Sequence, residues 1–126
     1  MKTSIAVLIC SLYLSSCNDK NKSDDDTQPP VITITTPTNN QSFTNGQSIR
    51  MTGTITDDNY IAESHIHVTN KVTGELLMDV HLYPGASSAS FDQAITASAG
   101  KTYKITVTAL DKQVNEGRTS VEVTCN

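Results

Sequence analysis

From residue 31 onward, the sequence alternates apolar and polar residues in short runs that end at turn-forming residues. A period of two places successive side chains on opposite faces of a strand, whereas an amphipathic helix has a period of about 3.6 residues. Seven runs follow the strand pattern, at residues 31–36, 47–56, 64–69, 75–83, 90–97, 102–110 and 119–125. Turn signals such as Asn45-Gly46 and Pro84-Gly85 separate them. The pattern predicts one all-β domain over residues 31–126 and no helix.

The apolar positions of these runs predict the core. They form one inward face on each strand, and together they fill the space between two sheets. The predicted inward residues are Ile32, Ile34, Ile49, Met51, Ile55, Ile66, Val68, Leu76, Met78, Val80, Leu82, Phe91, Ile95, Tyr103, Ile105, Val107, Ala109, Val121 and Val123. The composition agrees with a strand-rich fold, because Thr, Ser, Val and Ile are frequent while aromatic residues make up 5% of the chain.

The first 16 residues have the layout of a signal peptide. Lys2 precedes a mostly apolar segment at residues 5–14, which is too short to span about 30 Å of hydrocarbon as a helix. The following Leu14-Ser15-Ser16-Cys17 resembles the lipobox that the lipoprotein signal peptidase family recognises. The resemblance implies cleavage before Cys17, which then carries a diacylglycerol and an acyl chain as a membrane anchor. An ordinary secretory signal with a chance cysteine is the alternative.

Residues 17–30 are predicted to be the lipidated cysteine and a flexible acidic tether. Residues 18–30 contain no large apolar side chain that could offset the entropy of ordering the chain. Within this segment, Ser23-Asp24-Asp25-Asp26 resembles the export signal that sends lipoproteins of Bacteroidota to the outer face of the outer membrane. The resemblance implies a domain outside the cell. The alternatives are that the acids only keep the tether solvated, and that the domain faces the periplasm.

Seven predicted strands in about 95 residues are similar to immunoglobulin-like and fibronectin type III-like sandwiches. In such folds a tyrosine near the start of the sixth strand makes a tyrosine corner, and Tyr103 stands at that place. The layout also resembles the short immunoglobulin-like lipoproteins of unknown function that are common in Bacteroidota. Bacterial repeats of this class often end the sixth strand with Asp-x-x-Gly-Asn. This chain departs from that pattern, because Val114 stands at the glycine position between Asp111 and Asn115.

Cys125 is the one cysteine of the predicted domain. It is in phase with Val121 and Val123, so we expect a buried, reduced thiol. Neither of the other two cysteines is a partner for it, because Cys10 is removed with the signal peptide and Cys17 is alkylated.

All three histidines lie on one predicted outward face. In the predicted hairpin of the third and fourth runs, the facing pairs are Ile66–Met78, Val68–Leu76, Glu63–His81 and His65–Asp79. His65 and His67 are two residues apart on a strand, so both rings point the same way, towards His81 and the carboxylates Glu63 and Asp79. Imidazole nitrogens with a carboxylate suit zinc or copper. The alternative is a polar, solvated face that binds no metal.

A second predicted site joins the loops after the second and sixth runs. In an immunoglobulin-like sandwich these two loops lie at the same end. They carry oxygen ligands of the kind that suits calcium, at Asp57, Asp58, Asn59, Asp111, Asn115 and Glu116. The alternative is that these acids and amides serve only to make turns.

The remaining features favour a noncatalytic binding module. The sequence has no nucleophile elbow and no Gly-rich phosphate loop. The formal charge of −4, without a basic cluster, argues against nucleic acid as a partner. We therefore expect the protein to contact the membrane through its lipid anchor and to bind a protein or glycan partner. A metal-binding lipoprotein and a structural envelope component are the alternatives.

Overall fold

The computed structural model describes residues 25–126. Their seven strands are β1 (Val31–Thr36), β2 (Gln41–Phe43), β3 (Ser48–Asn70), β4 (Leu76–Leu82), β5 (Ala86–Thr96), β6 (Thr102–Asp111) and β7 (Glu116–Cys125). Neighbouring strands pair antiparallel, except that β2 runs parallel to β7. The predicted all-β sandwich and its number of strands are confirmed. Within residues 25–126 we find no helix with the length and apolarity to cross a bilayer.

Strand β3 belongs to both layers of the sandwich. Up to Thr56 it lies between β1 and β5, and after Ile61 it lies between β4 and β6. β7 pairs with the other side of β6, and β2 pairs with β7. The change of partners takes place at residues 57–60, where the ladder with β5 loses its register.

Several strand boundaries differ from the sequence prediction, and β5 and β7 begin at Ala86 and Glu116 instead of residues 90 and 119. The runs predicted at residues 47–56 and 64–69 are parts of the single strand β3, because the polar residues between them carry the chain from one layer to the other. The short strand β2 was not predicted. It has three residues, of which only Phe43 is buried, so it is too short to show an alternation.

The core lies between the two layers and follows the predicted period of two. Its buried apolar residues are Ile32, Phe43, Ile49, Met51, Ile55, Ile61, Ile66, Val68, Phe91, Ala97, Tyr103, Ile105, Val107, Ala109, Val123 and Cys125. Phe43 and Ile61 were not predicted, because each lies outside the predicted runs. Ala97 was not predicted either, although it is in phase with Phe91 and Ile95. The prediction for Leu76 was wrong, since its side chain is 57% exposed at the start of the edge strand β4.

Tyr103 makes the predicted tyrosine corner. Its ring is buried, and its hydroxyl accepts a hydrogen bond of 2.8 Å from the backbone amide of Ser98. This bond ties the start of β6 to the segment that follows β5. Cys125, near the end of the chain, is buried and free, as predicted.

The turn after β6 closes although Val114 stands where similar repeats have glycine. Val114 has a φ of 66°, in the left-handed region that strains a β-branched residue but not glycine. Asp111 holds the turn together, because its Oδ1 accepts a hydrogen bond of 2.8 Å from the amide of Asn115. The side chain of Val114 is 73% exposed, so burial does not offset the backbone strain.

Several sequence predictions fall outside the part of the chain that the structure describes. They are the signal peptide at residues 1–16, lipidation at Cys17, and the predicted tether up to residue 24, which includes Ser23 and Asp24 of the export signal.

The last part of the predicted tether, residues 25–30, lies against the sandwich. The side-chain amide of Asn115 donates a hydrogen bond of 2.7 Å to the carbonyl of Asp26. Pro30 is buried, and its carbonyl oxygen would lie 1.9 Å from a Cβ added to Gly117, so only glycine fits there. Contacts with the domain therefore begin before the predicted boundary at Val31.

We predict that Val114→Gly stabilises the protein by about 0.5 to 1 kcal/mol. The left-handed conformation costs a residue with a Cβ roughly 1 to 2 kcal/mol, and the greater entropy of glycine in the unfolded chain cancels part of the gain. The measurement is urea unfolding of both forms. Val72→Gly is the matched control, because Val72 is also exposed in a turn but has no positive φ. We expect no gain from the control, and an equal response of both variants would contradict the strain at Val114.

Candidate functional site

The outward side chains of β3 and β4 bring the three histidines together with two carboxylates. We call this cluster the histidine face, and its members are Glu63, His65, His67, Asp79 and His81. β3 supplies three of them at alternate positions and β4 supplies two at alternate positions. Because the two strands are antiparallel neighbours, all five side chains project from one surface. The structure thus brings together every residue that the sequence predicted for this site.

The pairing of β3 with β4 differs from the prediction by two residues. The observed facing pairs are Ile66–Val80 and Val68–Met78. Two differences of one residue each add up to this shift. Thr69 pairs with Leu76 rather than with Glu75, and a bulge between Val68 and Thr69 accommodates one extra residue of β4. A shift of two residues keeps every side chain on its original face, so the cluster is preserved.

The cross-strand partners of the histidines change with this shift. His65 lies opposite His81, and His67 lies opposite Asp79. The predicted pairing of His65 with Asp79 was therefore wrong, and so was that of Glu63 with His81. His65 becomes the centre of the cluster, with another imidazole directly across from it.

Each carboxylate of the histidine face contacts two imidazoles. Oε1 of Glu63 lies 2.6 Å from Nε2 of His65 and 3.5 Å from Nδ1 of His81. Oδ1 of Asp79 lies 2.9 Å from Nε2 of His67, and its Oδ2 lies 3.3 Å from Nε2 of His81. His81 thus lies between the two acids and links them.

His65 is the least exposed of the three histidines. Its side chain is 22% exposed, compared with 41% for His67 and 43% for His81. Its ring centroid lies 3.9 Å from that of His81 and 5.6 Å from that of His67. The other two rings therefore flank His65 and shield it partly from solvent.

The histidines lower the pKa of both carboxyl groups. For Glu63 the main cause is the hydrogen bond with His65, which outweighs the opposing effect of partial burial. For Asp79 partial burial is the largest single effect and raises the pKa. The hydrogen bond with His81 and the charges of all three imidazoles together outweigh that effect and lower the pKa of Asp79. Both groups are therefore available as carboxylate ligands at neutral pH.

Two overlapping sets of three side chains in this face have the composition of a zinc or copper site. Their potential ligand atoms lie within 4.8 Å of one another, in the sets Glu63–His65–His81 and His65–His67–Asp79. A tetrahedral zinc ion with ligands at about 2 Å separates its ligand atoms by about 3.3 Å, so small rotations of the side chains would suffice. His65 belongs to both sets, so either arrangement requires it.

The second predicted site is assembled only in part. Asp57 and Asp111 approach each other, and Asp26 joins them, with ligand atoms within 4.8 Å. Sequence reasoning missed Asp26, because the low hydrophobicity of its surroundings assigned it to the tether. The remaining predicted members lie outside this group of three carboxylates. They are Asp58, Asn59, Asn115 and Glu116.

Two of those remaining members hydrogen-bond to the group, and the other two do not. The backbone amide of Asn59 donates to Oδ1 of Asp57 at 2.9 Å, so this residue serves in a turn. Asn115 donates to Asp111 through its side-chain amide at 2.6 Å. Glu116 forms an ion pair of 3.0 Å with Arg118, and Asp58 is exposed.

A comparison with protein families identifies the domain. A family model described as a bacterial Ig domain matches residues 30–123. No curated protein sequence matches this chain.

Comparison with solved structures identifies similar folds at low sequence identity. The fibronectin(III)-like modules of CbhA from Clostridium thermocellum match with a TM-score of 0.52 and 18% identity, over 75% of this chain and 94% of theirs. A variant of the superoxide reductase (neelaredoxin) from Ignicoccus hospitalis matches with a TM-score of 0.55 and 10% identity, over 82% and 85%. The sulfur carrier protein SoxY from Chlorobium limicola f thiosulfatophilum matches with a TM-score of 0.51 and 14% identity, over 75% and 78%. These similarities show the fold alone.

We predict that the full-length protein in detergent binds zinc or copper with a Kd of about 1 μM or tighter, measured by isothermal titration. His65→Ala should abolish binding, because both sets of ligands contain this ring. His67→Ala should abolish binding by the set His65–His67–Asp79 and leave the set Glu63–His65–His81 intact. Asp58→Asn is the control and should bind as the unmodified protein does. Lowering the pH should weaken binding, because protons compete with the metal for imidazole nitrogens. Failure of the unmodified protein to bind either metal at micromolar concentration would exclude the site.

Proposed function

Because the chain belongs to the bacterial Ig domain family, we propose that it is a noncatalytic binding module that a lipid on Cys17 holds at the outer face of the outer membrane. Its sandwich then presents a surface to a protein or glycan partner. The observation that carries the binding role is the surface around β4. Among residues 25–126 this strand pairs on one side only, with β3.

Exposed apolar side chains lie at both ends of that free edge. Val72 lies in the turn before β4, Leu76 opens the strand, and Tyr83 follows it, with exposures of 80%, 57% and 71%. A free strand edge offers backbone hydrogen bonds to a partner, and flanking apolar side chains supply the contact area. An exposed tyrosine adds a rigid side chain with an apolar ring and a polar hydroxyl, of the kind that often dominates binding energy. We call this surface the β4 edge.

The cell-surface location rests on residues at the start of the sequence. Leu14-Ser15-Ser16-Cys17 supports lipidation, and Ser23-Asp24-Asp25-Asp26 supports export to the outer face. A periplasmic orientation of the same lipoprotein is the alternative.

A second candidate function is the handling of zinc or copper through the histidine face. The observation that favours it is the convergence of three imidazoles and two carboxylates on one surface. The metal titration described above decides it, because a partner-binding module without a metal role would give no binding. A purely structural envelope component differs from the first proposal only by having no external ligand.

We predict that protease added to intact cells of a Bacteroidota host degrades the full-length protein. Replacing Asp24 and Asp25 with asparagine should protect it, because the acids that resemble the export signal are then absent while Asp26 is kept. Lysed cells are the control, since the protease must reach both forms there. Resistance of the unmodified protein on intact cells would contradict the surface location.

We also predict that substitution of the β4 edge weakens partner binding about tenfold, as loss of one central contact residue commonly does. The measurement is the binding of envelope proteins and a glycan panel to the full-length protein in detergent. Leu76→Glu and Tyr83→Ser are the test variants, and Val114→Ser is the control, because Val114 is an exposed apolar residue in the turn after β6. Equal losses in all three variants, or no specific ligand at all, would contradict the role of the β4 edge.

A further inference from the structure

The free edge of β4 lacks the features that usually protect edge strands. Proteins commonly protect such edges with lysine or proline, with a bulge, or by keeping the strand short. β4 contains neither lysine nor proline, and five of its seven residues are Leu, Met or Val. The bulge in its pairing with β3 lies at its start, so residues 78–82 pair regularly. The outer side of this regular part has no strand partner within residues 25–126.

The other three edges of the two layers are protected. Within residues 25–126, β1, β2 and β5 also pair on one side only. β2 has three residues, and β5 consists mostly of small and polar residues. β1 lies between Pro30 and Pro37, which have no amide hydrogen to donate. Of these four strands, β4 therefore presents the apolar edge without protection.

The side chains on the core side of β4 are incompletely covered. Met78, Val80 and Leu82 pack against the core but are only half-buried. Their neighbours on the next strand, Ile66 and Val68, are fully buried, because β3 has strands on both sides. A strand added beyond β4 would cover the open side of the three residues in the same way. Burial of apolar surface favours such an addition.

Asp79 and His81 determine how a second copy of β4 fits beside the first. Both lie on the outward face, and their side chains are 35% and 43% exposed. An antiparallel pair of identical strands has a two-fold axis, and the core sides of both copies match only when this axis passes at a residue. With the axis at Val80, Asp79 of each copy faces His81 of the other. With the axis at Asp79 or at His81, two like groups face each other instead.

The geometry favours contact between copies over contact within one copy. Asp79 and His81 are two residues apart on one strand, a separation of about 6.6 Å, and Nε2 of His81 lies 3.3 Å from Oδ2 of Asp79. Directly facing residues of antiparallel strands are closer, with Cβ atoms about 4.5 to 5.5 Å apart. The axis at Val80 therefore creates two complementary contacts between carboxylate and imidazole, related by symmetry.

The exposed apolar residues at the two ends of β4 fit the same arrangement. Leu76, at the start of the strand, is 57% exposed, and Tyr83, directly after its end, is 71% exposed. Antiparallel pairing about Val80 brings the start of each strand beside the end of the other. Leu76 of one copy then lies near Tyr83 of the second copy, and each covers apolar surface of the other.

We propose that the β4 edge binds a second copy of this chain, with the two β4 strands paired antiparallel about a two-fold axis at Val80. The inference rests on the proposed role of the β4 edge as a binding surface, and it identifies the protein partner of that surface. The same patch is used on both copies, so the assembly closes as a dimer and does not extend into a fibre. The layers that contain β4 then form one continuous sheet, with the two histidine faces side by side on it.

The test is disulfide formation between two cysteine variants of the full-length protein in detergent. Asp79→Cys and His81→Cys carry tags of different mass, and they are mixed and oxidised with glutathione disulfide. Facing Cα atoms lie about 4.5 to 5.5 Å apart, within the range of a disulfide. We expect a cross-link between the two variants. Either variant alone should give little, because its own thiols belong to diagonal neighbours at roughly 7 to 8 Å.

Two controls exclude cross-linking that results only from sharing a micelle. Asp92→Cys places an exposed thiol on the edge strand β5, and it should not cross-link with His81→Cys. The unmodified protein should give no disulfide dimer, because Cys125 is buried and the thiol of Cys17 is alkylated in the proposed lipoprotein.

Charge variants test the same pairing through its affinity. His81→Asp places a carboxylate opposite Asp79 of the second copy, and we expect the Kd of the dimer to rise about tenfold or more in analytical ultracentrifugation. The double exchange of Asp79→His with His81→Asp restores opposite pairs and should restore the dimer. It keeps the composition of the histidine face, so it is the matched control for the single variant.

Absence of the cross-link between Asp79→Cys and His81→Cys would overturn the inference. Stronger cross-linking of either variant with itself, equal cross-linking of Asp92→Cys, or failure of the double exchange to restore the dimer would overturn it too. So would a monomeric protein that binds a different envelope protein or a glycan through Leu76. In that last case the binding role of the β4 edge would stand, so the two proposals fail separately.

Discussion

The structure depends on one strand that hydrogen-bonds in both layers. β1, β4, β5 and β6 all pair with β3, and only β2 and β7 do not. Its first half fixes one layer, and its second half fixes the other, so the crossing at residues 57–60 sets how the two layers face each other. Both candidate sites follow from this arrangement. The histidine face projects from the second half, and Asp57 lies at the crossing itself.

The fold could be predicted to the extent that it rests on local periodicity. The alternation of apolar residues identified most of the core, and the position of Tyr103 identified the corner that its hydroxyl makes with the amide of Ser98. The prediction failed where geometry depends on distant partners. Phe43 is buried because β2 lies beside β7, far away in the sequence, and nothing in a three-residue strand signals that pairing. The burial of Ile61 likewise depends on the crossing of β3.

For the candidate sites too, local periodicity could be predicted from the sequence and contacts with distant partners could not. Period two was enough to place His65, His67 and His81 on one face, because a strand side chain keeps its face under any even shift of register. It was not enough to identify which groups touch, since β4 is displaced by two residues from the predicted register, one of them at the bulge beside Thr69. Asp26 was beyond sequence reasoning for a different reason. Its carbonyl contacts Asn115, 89 residues away, and its own neighbourhood has no periodicity from which such a contact could be inferred.

The described segment enters the sandwich at one end and leaves it at the other. Residue 26 lies with Asp57 and Asp111, whereas the amide of Cys125 donates to the carbonyl of Lys101, before the start of β6. A module suspended by its N-terminus therefore turns the three carboxylates toward its support. The opposite end of the sandwich carries the turns at residues 44–47, 71–75 and 98–101, which are rich in small and uncharged side chains. Under the proposed N-terminal anchor, the end at which the first strand begins thus decides which surface a molecule arriving from the medium meets first.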